Sequence, residues 1–257
     1  MSVLELPEPA GWRGGRTFLK VAIVATAGVA AGYAYLGVAA ATRGNFLTTA
    51  VTIGWAAFLL TFVVAMLLVA GGRTAARTTS DATGFTIWPD KRFSIVMLVG
   101  VVAAIPSCML FSVCAPFGVI EFANTRISQS VWPVATGFVA FVGITGLITA
   151  WRRGGVGHVK LTPAMIENAD ILKTRVFEWD DVVDVADHAE SKKARRAVVL
   201  RLRDGHEEII SVADIYLPRG VALYWLVRHY WRHPEDRTEL VDARAAQRLH
   251  DGRFDLA

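Results

Sequence analysis

Apolar residues run almost unbroken through four stretches of the first 151 residues, 18–41, 46–70, 93–120 and 131–151, with Lys20 at the flank of the first as the one charged side chain among them. A bilayer core about 30 Å thick needs roughly 20 apolar residues of helix, so each stretch is long enough to cross it. The third carries Pro106 and Pro116, which predicts a kink or an end near residue 115. Short links at 42–45 and 121–130 and a long one at 71–92 arrange the four as two helical hairpins.

After Gly157 the pattern changes to alternation at period two, the mark of half-buried strands. Strands are expected at 158–161, 165–168, 171–179 and 182–186, followed by a hairpin over 197–212. Its Asp204-Gly205 pair suits a two-residue type I′ turn, which sets Leu200 opposite Ile209 and Arg201 opposite Glu208. That register gathers Val198, Leu200, Leu202 and Ile209 on one face and leaves Arg201 and Glu208 to pair on the other. A helix over 218–231, stopped by Pro234, presents Leu223, Leu226, Val227 and Tyr230 at helical spacing, a cover for a one-sided sheet. The stretch 235–257 reads as a short amphipathic helix ended by Gly252, docked on its own domain or on another protein.

Orientation follows from the cations. Arg13, Arg16, Lys20, Arg73, Arg77, Lys91, Arg92, Arg152, Arg153 and Lys160 flank one side of the four stretches, and Arg43 and Arg126 the other, which puts both termini in the cytoplasm. Trp88, Trp132 and Trp151 fall at or near the ends of the stretches, where indoles favour the headgroup region. Ala39, Ala40 and Ala41 resemble a signal-peptide cleavage site, but the apolar run before them exceeds the 7–15 residues of an h-region, so the expectation is a retained span. The resulting divisions are a cytoplasmic tail (1–16), a four-helix transmembrane domain (17–153), a small cytoplasmic domain (154–234) and a helical tail (235–257).

Composition agrees with a membrane protein: 53% of the 257 residues are hydrophobic and 19% charged. The net charge of +4 belongs wholly to residues 1–151; the rest is balanced, so no nucleic-acid-binding surface is expected. Cys108 and Cys114 lie in an apolar run, which suits neither a disulfide framework nor a metal site. A predominance of Arg over Lys, with abundant Ala and Gly, points to a bacterial source and hence an inner membrane.

Within the spans the polar content is hydroxyl and thiol, as at Thr52, Thr61, Ser107 and Thr145; intramembrane carboxylates or histidines of the kind that transporters and pumps use are missing. Gly28 and Gly32 form a G-x-x-x-G, a spacing that lets helices approach closely, either within the chain or in a homo-oligomer or partner complex. Lys192, Lys193, Arg195 and Arg196 form the densest cationic run, on a loop between strands, where they are candidates for contact with anionic lipid headgroups or a partner; neighbouring carboxylates offer a plain solvated loop instead. His229 and His233 are four apart on a helix, but a third metal ligand has no defensible position. No catalytic residue, metal or cofactor is assigned, because no P-loop, G-x-S-x-G or G-x-G-x-x-G motif is present.

Leu161-Thr162-Pro163 with Ile166, Phe177-Glu178-Trp179-Asp180-Asp181-Val182, Leu200-Arg201-Leu202-Arg203-Asp204-Gly205 and the helix around Tyr224-Trp225 together resemble the bacterial PH-like domains tethered to membrane spans, over about residues 156–233. The resemblance implies an α+β fold, a small antiparallel sheet or barrel capped by a C-terminal helix, and a binding or scaffolding module rather than an enzyme. The expectation is therefore a non-catalytic, four-span α-helical membrane protein with a C-terminal cytoplasmic PH-like domain for protein assembly or an anionic lipid surface. The rivals are a transporter or channel component and an accessory subunit of a larger membrane enzyme.

Overall fold

The computed structural model describes residues 6–12, 15–152, 155, 157–170, 173–191, 194 and 196–256. Four long helices, α1 (Gly15–Thr42), α2 (Phe46–Ala70), α3 (Lys91–Cys114) and α4 (Arg126–Arg152), alternate with segments that build a second, sheet-containing unit. All four are long and apolar enough to cross a membrane. Helix α3 ends at Cys114, and Pro116 falls in a single 3-10 turn, Ala115–Phe117, closed by Gly118 at φ +69°. Helix α4 starts at Arg126, five residues earlier than its apolar stretch, because Thr125 and Ser128 exchange hydrogen bonds that cap its first turn.

The helical unit comprises Phe18–Leu67 and Ser94–Arg152. Its hydroxyls are returned to carbonyls of their own helices, as in Thr61 to Phe58 (2.7 Å), Thr136 to Trp132 (2.9 Å) and Thr149 to Thr145 (2.8 Å). Ser107 reaches beyond its helix: its Oγ donates toward Ala103 O at 3.2 Å and Ala50 O at 3.4 Å, joining α3 to α2. The close approach of these two helices depends on Gly54 and Gly100. A Cβ at Gly54 would lie 1.7 Å from Ser107 Oγ, and one at Gly100 would lie 2.1 Å from Thr61 Oγ1.

The sheet unit is assembled from three separate pieces of chain, Met1–Thr17, Leu68–Phe93 and Arg153–Ala257. Its boundaries therefore differ from the 154–234 read from the sequence. The stretch 71–92, read as a link, contains a hairpin of β1 (Arg77–Asp81) and β2 (Gly84–Trp88). Strand β2 pairs antiparallel with β3 (His158–Leu161), with Phe85 opposite Leu161 and Ile87 opposite Val159. Next to β3 lie β4 (Met165–Ala169) and β5 (Thr174–Glu178), completing a sheet of order β1-β2-β3-β4-β5. A second sheet contains β6 (Val182–Ala186), β7 (Val198–Leu202) and β8 (Glu207–Ile210).

Both sheets contribute to one core with α5 (Val221–Arg232), whose residues from Val221 to Val227 are all buried. Phe85 and Ile87 are fully buried in it, each worth ~1.5–3 kcal/mol of transfer free energy. The N-terminal piece adds Leu6 and Trp12 to that core; Trp12 Nε1 donates to Asp187 O (2.8 Å) and Trp225 Nε1 to Pro7 O (2.9 Å). The C-terminal stretch adds Leu240, Ala245 and Leu249 through a 3-10 turn and α6 (Ala243–Asp251), which Asp242 caps and Gly252 ends at φ +64°.

The β7–β8 hairpin differs from its expected register by one residue. Leu202 N donates to His206 O, and Gly205 N donates to Leu202 O, so the loop is Arg203-Asp204-Gly205. Gly205 alone of these has positive φ (+84°), whereas a type I′ turn requires it at two positions. The Asp204 carboxylate accepts from His206 N (2.9 Å), which favours this three-residue loop. Leu200 consequently faces Glu208 and Arg201 faces Glu207; Ile210 joins the main core while Ile209 turns to the opposite face with Val199. Trp88, expected at a headgroup boundary, lies on β2 with its ring 4.8 Å from that of His158.

A fragment of residues 154–257 lacks β2, which leaves Val159 and Leu161 without their strand partner. By circular dichroism it is expected to show no cooperative unfolding, and a peptide covering 71–92 should restore a transition. A cooperative melt of the fragment alone would contradict the three-piece assembly.

Candidate functional site

The groups with chemistry in the sheet unit mostly hold its pieces together. Asp90, 3% exposed, stands between β2 and α3. Its Oδ2 accepts from Ala75 N (2.7 Å), its Oδ1 caps α3 through Phe93 N (2.9 Å), and its own N–H donates to Ile215 O (2.9 Å). One residue thereby joins the middle piece to the C-terminal one.

Of the cationic run, Lys192, Lys193 and Arg195 lie outside the described residues. Arg196 is described, and it is not a free surface cation. Its side chain is 10% exposed, with Nη2 3.1 Å from Glu8 and Nη1 3.5 Å from the fully buried Asp214. Two carboxylates near this loop turn to Arg201, which contacts Asp184 at 3.2 Å and Glu190 at 2.8 Å. Gly28 and Gly32 have nothing within 4 Å of an added Cβ, so of the two contacts expected there the one within the chain is not made among the described residues.

Glu207 anchors the loop that follows β6. Its carboxylate accepts from Ser191 Oγ (2.6 Å), Glu190 N (3.0 Å) and Ser191 N (2.9 Å). These hydrogen bonds, the serine hydroxyl's foremost, hold its pKa down to about 2 from an ordinary 4.5. Its neighbour Glu208 points to the core face, where Asn168 Nδ2 donates to it at 2.7 Å and the half-exposed Arg175 pairs with it. Asn168 and Arg175 are cross-strand partners on β4 and β5, so a buried carboxylate of the second sheet is neutralised by the first. The one-residue register difference decides this: with the two-residue turn Glu208 would face solvent.

The rings of His229 and His233 lie with centroids 4.8 Å apart, tilted by 32°. His229 Nε2 lies 3.0 Å from Asp236, and its Nδ1 is buried without a hydrogen-bond partner. Burial, then the Arg248 guanidinium, hold His229 below its ordinary value, whereas hydrogen bonds that the His233 ring donates to Glu235, then to Asp255, raise His233. Arg248 reaches Glu239 (2.7 Å) and Asp236 (3.1 Å). This cluster ties α6 and the residues before it to α5, and among the described residues no group of three ligands could hold a metal.

Both sheets have exposed edges: on β6 of the second, Val183 is exposed, and on the first the exposure runs along a whole strand. Strand β5 is an edge of the first sheet, and Thr174, Arg175, Val176 and Glu178 are all exposed. Val176, 51% exposed, is an apolar residue on that edge. Edge strands offer unpaired backbone groups and are the elements to which an extended segment of another chain adds. Of the strand expected over 171–179, residues 171–172 lie outside the described residues, and β5 itself runs Thr174–Glu178.

The chain matches no family model, no curated protein and no solved structure.

Because Glu207 titrates lower when folded, its stabilisation is complete above 4.5 and is lost as pH falls toward about 2. The unfolding temperature of the full chain should fall across that window, and Glu207→Gln should flatten the slope. An unchanged slope would mean that the carboxylate is not held as described.

Proposed function

We propose that this protein is a non-catalytic, multi-pass inner-membrane protein whose sheet unit is a cytoplasmic PH-like scaffold for protein assembly. The observation that carries the reading is the β2–β3 pairing. Together with the N-terminal segment around Trp12, it brings three pieces of chain, separated by two pairs of apolar helices, into a single core. If the four helices cross a bilayer, those pieces lie on one side of it. That is the arrangement the flanking cations favour, and the side they favour is the cytoplasm.

Two sheets of five and three strands with α5 in their shared core support the PH-like reading. A module entered by the chain from several helix ends is suited to presenting a surface at a defined place beside the membrane. The exposed edge β5 with Val176 supports a protein partner that adds a strand. An anionic lipid surface receives less support, since Arg196 is committed to Glu8 and Asp214.

With Cys108 and Cys114 replaced by Ala, single cysteines at Ser80 and His206 should resist a membrane-impermeant maleimide in intact cells, and one at Asn124 should react. Reaction at Ser80 or His206 would overturn the sidedness. Val176→Pro in the full chain should abolish a stoichiometric complex recovered in mild detergent without lowering the unfolding temperature; a complex that survives it would exclude β5 as the contact.

A further inference from the structure

The helical unit encloses a partly open cavity of about 630 Å³ lined from all four helices. Tyr33 of α1, Trp55 of α2, Phe111 of α3 and Phe122 from the α3–α4 connection form an aromatic cluster on its wall. Trp55 stands 5.2, 5.1 and 5.8 Å from the other three rings. Phe111 and Phe122 stack at 5.7 Å, with ring planes 11° apart. The cavity continues past Cys108 and Ala104 to Gly143 of α4.

Three observations narrow the occupant. Its volume lies within the range of about 300–1,000 Å³ typical of sites for small ligands. As water it would amount to about twenty molecules at ~30 Å³ each, every one wanting 2–4 polar partners. The lining supplies few: its polar side-chain groups are the hydroxyls of Tyr33, Ser128 and Thr136, the indole N–H of Trp55 and Trp132, and the Cys108 thiol. A partner helix is too thick: at 10–12 Å across and 1.5 Å per residue, the space holds only about one turn. A flexible hydrocarbon chain needs neither polar partners nor that width.

We propose that this cavity is a binding site for one acyl chain of a bilayer phospholipid. The proposal rests on the reading that the four helices cross a membrane, which places hydrocarbon at the cavity's opening. The aromatic cluster then lines one part of the chain's path and Ala104, Cys108 and Gly143 another.

The test uses the full chain in nanodiscs of phosphatidylcholine containing a fraction with a diazirine in one acyl chain, followed by irradiation and peptide mapping. Adducts are expected on cavity residues, Trp55, Cys108 and Phe111, and on outward ones, such as Val102 and Val134. Ala104→Phe and, as a second variant, Cys108→Phe fill the space and should cut the cavity adducts about tenfold while leaving the outward ones unchanged. Outward adducts without cavity adducts in the wild type would overturn the chain site and leave the membrane reading standing. Cavity adducts indifferent to both fillings would overturn it too. Failure at both sets would overturn the membrane reading along with the site.

Discussion

Three backbone-paired positions hold this architecture together: Phe85 with Leu161, Thr86 with Lys160 and Ile87 with Val159. Without that pairing β1 and β2 would be an isolated hairpin with Phe85 and Ile87 uncovered, and β3 would be the edge of a three-stranded sheet. An isolated two-stranded hairpin is marginal in water, and three or more strands with an apolar face are needed for independent stability. Joining the two pieces puts Phe85, Ile87, Val159 and Leu161 into one core with α5, and the hydrophobic gain repays the closure of a loop that contains two long helices.

The charged groups of the sheet unit follow the same logic at its seams. Asp90 joins the start of α3 to Ala75 and Ile215, Arg196 joins Glu8 to Asp214, Glu208 joins the two sheets, and Arg248 joins α6 to the residues before it. Asp90 and Arg196 meet partners from another of the three pieces, whereas Glu208 and Arg248 pair across elements of the C-terminal piece; in each case leaving a partner unpaired is costly. The ionic residues thus specify which segments meet, while the apolar ones supply the driving force. His229, buried against Asp236 and Arg248, belongs to the same class of fastening.

Much of this was legible in the residue pattern. The four apolar runs give the four helices within a few residues, and the alternation after Gly157 gives β3, β4, β6, β7 and β8 nearly in place. What escaped depended on long-range pairing. Gly84-Phe85-Thr86-Ile87-Trp88 alternates as a strand should, but β1 is Arg-Thr-Thr-Ser-Asp, with no apolar face, and a hairpin of that kind is stabilised by a partner about seventy residues away rather than by itself. The Asp-Gly pair signalled a hairpin correctly but not its loop length, and that single residue carried Glu208 from the surface into the core. Local composition also does not show that Arg196, at the end of the cationic run, meets Glu8, 188 residues earlier.

A discontinuous sheet also imposes an order on biosynthesis. Trp88 leaves the ribosome about seventy residues before Leu161, so at roughly 5–20 residues per second the nascent hairpin waits on the order of 4–15 s for its neighbour. During that interval Phe85 and Ile87 lack their strand partner while two further helices are made. The polar character of β1 then serves a purpose beyond the native state: Arg77 and Asp81 at its ends discourage the waiting hairpin from recruiting another chain's strand.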